Sequence, residues 1–261
     1  MRRRHLLLLL LAIAAPAFAW EERADIARLF AESGVSGTFV ALDVASGALQ
    51  GHGRARAERR YVPASTFKVT NALIGLATGA VTDVDEVLPY GGGPQRLKAW
   101  EQDMSLRQGM PVSNLPVYQA LARRIGLDWM RAALADLGYG NATVAERVDD
   151  FWLVGPLAIS AMEQARFMAA LGTRTLPLDV PVQDAVAEII RVDAGDGWSL
   201  HAKTGWADLY QPHLGWWVGW VERDGGIHAF ALNIDMPDGT YARKRIELGR
   251  AALVLLGLLP A

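Results

Sequence analysis

The feature that most narrows the possible folds is the segregation of strand-like and helix-like patterns along the chain. Residues 36–43, Ser-Gly-Thr-Phe-Val-Ala-Leu-Asp, read as a strand, and the turn Ala45-Ser46-Gly47 leads to a second short strand near 48–52. The last third returns to strands. Trp198 to Thr204 alternates, Leu214 to Glu222 is rich in Trp and Val, and Arg223-Asp224-Gly225-Gly226 turns the chain into a further strand, Ile227 to Asp235. Between these ends the pattern is helical. Ser65 to about Thr78 closes at Gly79, Val117 to Ile125 and Leu127 to Leu137 are split by Gly126, and Ser160-Ala161-Met162-Glu163 is a capping box for a helix to about Leu171. Val182 to Arg191 and Ile246 to Leu256 are two more predicted helices. Strands at both ends with helices between predict an α+β fold. A central antiparallel sheet, from about 20–62 and 196–261, is flanked by helices, and an all-helical part spans about 63–195. A ligand is expected in the crevice between the two parts.

The 261 residues suit a single catalytic domain from 20 to 261 after a leader at 1–19. Arg2, Arg3 and Arg4 precede an apolar run from Leu6 to Ala15, and Ala17-Phe18-Ala19 is a cleavage signal, so the mature chain is expected to begin at Trp20. The apolar run falls short of the ~20 residues that span a bilayer. A cleaved signal peptide and a periplasmic location are therefore expected, with no stable membrane insertion. Losing a leader with three arginines and no acids takes the net charge from −2 to −5. That balance, with no basic block beyond Arg243-Lys244-Arg245, disfavours nucleic acid as a partner.

Cysteine is absent, which removes disulfides, thiol nucleophiles and zinc–thiolate sites. The histidines, at His5, His52, His201, His213 and His228, lack the spacing of a metal site on a helix, so no metal is expected. His201 falls on the same strand face as Lys203 by the period of two, and is read as incidental.

Three short patterns could carry chemistry. In Ser65-Thr66-Phe67-Lys68 the spacing i, i+3 puts a hydroxyl and an amine on one helix face, beside backbone N–H groups that favour negative charge. A serine needs a base to attack, and a lysine that loses its proton can serve. Ser113-Asn114-Leu115 precedes a helix and offers a second hydroxyl for proton relay. Lys203-Thr204-Gly205 stands on a late strand, where glycine lets a ligand approach the backbone. Each alone is ordinary: a cap, a turn, a strand end.

Together and in this order they form the signature of penicillin-recognising enzymes. Tyr139-Gly140-Asn141, Asp150-Phe151-Trp152-Leu153 with Gly155-Pro156-Leu157, and Gly215-Trp216-Trp217-Val218-Gly219-Trp220-Val221-Glu222 narrow the match. From about Gly37 to Leu259 the chain closely resembles the class D (OXA-type) β-lactamases. The resemblance implies hydrolysis of β-lactams, penicillins foremost, through a covalent acyl-serine, and hence antibiotic resistance. It implies Ser65 as nucleophile and Lys68 as a base carrying CO2 as a carbamate (N6-carboxylysine), with no other cofactor. Burial would favour this by disfavouring the ammonium.

The resemblance further makes Trp152 the indole donor to that carbamate, Ser113 the relay, and Lys203 a support for leaving-group protonation and anion binding. The backbone N–H groups of Ser65 and Trp206 form the oxyanion hole, and Leu115, Thr204, Gly205, Trp206 and Arg243 meet the substrate. Two positions depart from the pattern. Leu115 stands where the family usually has Val, which is expected to crowd the carbamate and slow deacylation of bulky substrates. The loop before Arg243 differs in length, so Arg245 competes with Arg243 for the substrate carboxylate. The alternative activity is a β-lactam sensor or penicillin-binding protein that acylates without efficient turnover. Oligomeric state is left open by the sequence.

Overall fold

The computed structural model describes residues 20–260. The expected leader, 1–19, lies outside the described residues. The chain runs β1 (Trp20–Glu22), α1 (Ala24–Ser33), β2 (Gly37–Asp43), β3 (Leu49–His52), α2 (Arg54–Glu58) and β4 (Arg60–Tyr61). A 3-10 turn, Ala64–Thr66, then leads into α3 (Phe67–Ala77), followed by α4 (Leu106–Gly109), α5 (Leu115–Ile125), α6 (Leu127–Asp136) and α7 (Phe151–Val154). The remainder is β5 (Ile159–Ser160), α8 (Ala161–Gly172), α9 (Val180–Ile189), β6 (Arg191–Gly195), β7 (Trp198–Ala207), β8 (His213–Arg223), β9 (Gly226–Met236) and α10 (Lys244–Leu255).

Seven strands make the main sheet in the order β1-β3-β2-β9-β8-β7-β6. The two chain ends meet where β2 pairs with β9, Val40 opposite Ala231. Every pairing is antiparallel except β1 with β3, which is parallel. The fold is thus the expected α+β arrangement, but the part expected to be all-helical also holds β5, which pairs with β4 in a small separate sheet, and two further differences stand out. The helix predicted through Arg191 stops at Ile189, and Arg191–Gly195 instead forms β6 at the sheet edge. β6 is polar and mostly exposed, as an edge strand must be to resist further pairing. The second difference is α1, an amphipathic helix burying Ile26 and Phe30.

Period-two alternation lets the central strands bury both faces. Trp216, Val218 and Trp220 of β8 point into the larger core beneath the helical layer. Trp217 and Val221 point the other way, into a second core closed by α1 and α10. By the same alternation Leu200 and Ala202 of β7 face the second core, leaving His201, Lys203 and Gly205 toward the helices. α3 runs through the larger core, with Phe67 to Gly75 buried without interruption. A helix enclosed on all sides can hold a side chain away from water at any position, including a lysine.

Candidate active site

The 3-10 turn and α3 set the first wall of a cleft. Ala64 takes a left-handed φ of 49° just before Ser65, a conformation that costs energy for a residue with a Cβ and gathers at functional sites. Thr66 Oγ1 donates to Pro63 O at 2.7 Å and accepts from Gln164 Nε2 at 2.9 Å, fixing the turn from below. One turn on, Lys68 Nζ donates to Ser65 Oγ at 2.9 Å.

Lys68 is 1% exposed, with its amine 5.5 Å from the centre of the Tyr118 ring. The neighbouring Phe67 stacks on Trp152 at 5.1 Å and meets Tyr139 and Phe151 edge-on. Among the described residues no carboxylate compensates the amine, and burial alone lowers its pKa from 10.5 to about 7. Near neutral pH the neutral, nucleophilic amine is therefore well populated. Trp152 is also 1% exposed, and its indole Nε1 has no hydrogen-bond partner among the described residues. A buried donor without an acceptor is costly and calls for an explanation.

β7 and the loop before α5 form the opposite wall. Ser113, with a left-handed φ of 52°, sits just before Asn114, whose Oδ1 caps α5 by accepting from Val117 N at 3.1 Å. Lys203 Nζ donates to Ser113 Oγ and, at 3.0 Å, to Thr204 O. Burial pushes the Lys203 pKa well below its usual value, and the Lys68 and Arg245 charges push it the same way. Gly205 permits a close contact between the walls: a Cβ there would lie 2.9 Å from Pro63 O and 3.1 Å from Thr66 Cγ2. Only a residue without a side chain lets β7 lie this close to the turn that carries Ser65.

Between the walls lies a cavity of about 290 Å³, lined by Ser65, Ser113, Thr204, Gly205, Trp206 and Arg245 and rimmed by Arg96, Leu97, Trp100, Pro111 and Val112. Arg245 Nη1 donates to Gly205 O at 2.9 Å, and burial lowers its pKa to about 10, still cationic at neutral pH. A guanidinium here can receive an anionic substrate group in bidentate fashion.

The structure thus brings Ser65, Ser113, Thr204, Gly205 and Trp206 to one cleft, with Lys68 and Lys203 buried behind it and bonded to Ser65 and Ser113, and Trp152 stacked on Phe67 in the aromatic wall. Arg243 is not part of it. Its side chain is 91% exposed and faces Glu247, while Arg245, two residues on, reaches the cavity. Each helical residue turns about 100°, so two positions at the start of α10 separate a solvent-facing arginine from a cleft-facing one. Leu115 opens α5 and packs against the larger core, outside the cavity lining. His201 is structural: Nδ1 pairs with Ala187 O at 2.8 Å, and its ring stacks on Trp220 at 4.4 Å. The rim residues Arg96, Leu97, Trp100, Pro111 and Val112 are additions to the expected site. They come from loops, where no periodicity marks a functional position. Among the described residues no group of three or more His, Cys, Asp or Glu could hold a metal ion.

The chain is similar to known proteins over most of its length. The penicillin binding protein transpeptidase domain matches residues 37–250. Beta-lactamase OXA-5 of Pseudomonas aeruginosa is 37% identical over 233 residues, 88% of this chain and 87% of that protein. Beta-lactamase OXA-2 of Escherichia coli is 39% identical over 244 residues, 92% of this chain and 86% of that protein. Among solved structures, FUS-1 (OXA-85), a class D beta-lactamase from Fusobacterium nucleatum subsp. polymorphum, superposes with a TM-score of 0.89 at 38% identity, covering 92% of this chain and 100% of that one. The class D beta-lactamase YbXI from Nostoc gives a TM-score of 0.87 at 35% identity, covering 90% and 99%.

Proposed function

Because this chain belongs to the class D (OXA-type) serine β-lactamases, we propose that Ser65 is its acylated nucleophile and that Lys68, carboxylated by CO2, is its general base. The protein is a hydrolase acting on cyclic amides. It opens β-lactam antibiotics, which makes it a resistance enzyme, and it needs no dissociable cofactor. Penicillins are the substrates we expect it to turn over best.

The observations that carry the proposal are a Lys68 amine buried in an aromatic wall 2.9 Å from Ser65 Oγ, and a buried Trp152 indole, stacked on the adjacent Phe67, that lacks an acceptor among the described residues. The surroundings fit a carbamate. The neutral amine can react with CO2, and Trp152 Nε1 is a donor for the anionic oxygen that would result. When formed, that group supplies an anionic base for the serine proton and for the deacylating water.

The chain's own residues account for the rest. Ser65 Oγ attacks the ring carbonyl carbon, and its proton leaves toward the Lys68 position, 2.9 Å away. The carbonyl oxygen gains negative charge in front of the Ser65 and Trp206 N–H groups, assigned here as its donors. The C–N bond breaks, and the leaving nitrogen takes a proton from Ser113 Oγ, which Lys203 Nζ can restore. Arg245 holds the substrate carboxylate, and Thr204, Gly205 and Trp206 line its path. Water then attacks the ester carbon, losing a proton toward the Lys68 position; the C–O bond to Ser65 breaks, Ser65 Oγ takes one proton back from that side, and the remaining proton recharges Lys203.

Two measurements test this reading. Mass spectrometry of protein mixed with benzylpenicillin in bicarbonate buffer should show transient acylation at Ser65 that decays as penicilloate forms. Carbon-13 NMR in labelled bicarbonate, without substrate, should show a carbamate resonance that Lys68→Ala abolishes. Persistence of that resonance in the variant would remove Lys68 from the role.

We also place the enzyme in the periplasm, on the strength of the leader pattern in 1–19. N-terminal sequencing of exported protein should begin at Trp20, and a start at Met1 would defeat this assignment. Among the described residues no helix is long and apolar enough to cross a membrane.

A further inference from the structure

The rim of the cleft holds a contact that the proposed mechanism does not use. Arg96, on the loop between α3 and α4, donates through Nη1 to Asp208 Oδ2, on the loop between β7 and β8. The two residues are 112 positions apart, one on the loop packed beside Ser113 and the other on the loop that follows β7. Each is anchored on its own side. The Arg96 loop is pinned by Trp100 Nε1, which donates to Val112 O at 2.9 Å next to Ser113. On the β7 side Trp206, two residues before Asp208, donates through Nε1 to His213 Nδ1 at 3.1 Å. The Arg96 guanidinium carbon also lies 5.7 Å from the Trp206 ring centre.

The cavity beneath is about 290 Å³, at the small end of the range of roughly 300–1,000 Å³ for small-molecule sites. In the proposed reaction Ser65 fixes the β-lactam ring and Arg245 its carboxylate. The variable part of the substrate, the acyl side chain, is left to meet Arg96, Leu97, Trp100 and Trp206. We propose that Arg96 and Asp208 form an ionic clasp that selects β-lactams with compact acyl side chains, larger ones entering only when the clasp opens. The inference rests on the proposed function. The Arg96 side chain is 61% exposed and that of Asp208 30%, so water and salt can loosen the pair, and the clasp is openable by design of its surroundings.

The test compares kcat/KM for benzylpenicillin and piperacillin, which share a ring system and differ in side-chain bulk. Arg96→Ala and Asp208→Ala should each raise the piperacillin-to-benzylpenicillin ratio about fivefold, the effect of removing one exposed ion pair. The exchange of both, Arg96→Asp with Asp208→Arg, should return the ratio toward that of the unaltered protein. Added sodium chloride should raise the ratio in the unaltered protein and leave it flat in the single variants. An unchanged ratio in both single variants overturns the clasp. So do opposite shifts, which would make Arg96 a binding group for the side chain. Failure of the unaltered protein to hydrolyse benzylpenicillin would instead defeat the proposed function.

Discussion

Lys68 and Lys203 stand behind the two serines of the same cleft, in opposite walls, both buried and both with lowered pKa, yet for different reasons. Around Lys68 the wall is aromatic and apolar, and desolvation alone shifts the amine. Around Lys203 the wall is polar. Ser113 Oγ and Thr204 O accept its protons, while the nearby charges of Lys68 and Arg245 add repulsion to desolvation. One of those repulsions depends on the other lysine's state. A neutral or carboxylated Lys68 no longer repels Lys203, so modification of the first raises the proton affinity of the second. The aromatic wall makes a reactive amine, and the polar wall makes an ammonium that is more fully protonated once that amine has reacted.

The largest expected effect comes from removing the aromatic wall's amine. Lys68→Ala should lower steady-state turnover of benzylpenicillin by about 10³-fold or more, within reach of a lost general base and its proton transfers. Acylation should survive better than deacylation, so the Ser65 adduct should accumulate in the mass spectrum. Equal loss of both steps would erase the distinction between the walls.

Trp152→Phe is a finer probe, since it keeps an aromatic ring against Phe67 while deleting the indole donor. Turnover should fall about 10- to 100-fold, as for loss of a hydrogen bond to a charged group, and raised bicarbonate should restore part of it. A variant indifferent to bicarbonate would make Trp152 a packing residue only. On the polar wall, Arg245→Ala should raise KM about tenfold or more through loss of a charged anchor, with Arg243→Ala close to the unaltered protein. Kinetics that single out Arg243 instead would reverse the assignment made from its exposure.

The smallest effect is on stability. A lysine whose folded pKa is depressed from 10.5 to about 7 destabilises the fold most at pH 7 and below, and the penalty fades as pH rises toward 10.5. Lys68→Met should therefore raise Tm in CO2-free buffer at pH 7 by about 5 °C, converging with the parent near pH 10. A Tm that falls at neutral pH would show that the amine is not strained by its burial.

Both walls were partly readable from the sequence. The i, i+3 spacing placed Ser65 and Lys68 together, and the turn at Arg223–Gly226 placed β8 and β9 as a hairpin. The capping box at Ser160 appeared as drawn, with Glu163 N donating to Ser160 Oγ at 3.2 Å. Other features were hidden for physical reasons. β6 lacks alternation because an exposed edge strand has no face to bury, so the helical pattern of α9 ran on into it. Arg243 and Arg245 could not be separated without the phase at which α10 begins. The rim residues owe their place to single long-range bonds such as Trp100 to Val112, which no local pattern announces.

The close approach at Gly205 bears on how such an enzyme can change over generations. With 2.9 Å between a would-be Cβ and Pro63 O, β7 packs directly on the turn bearing Ser65, and any side chain at 205 would wedge them apart. Inheritable variation in substrate preference is thereby steered away from this seam. It is channelled into the loops on either side of the mouth, where sequence can drift while the reacting atoms stay in register.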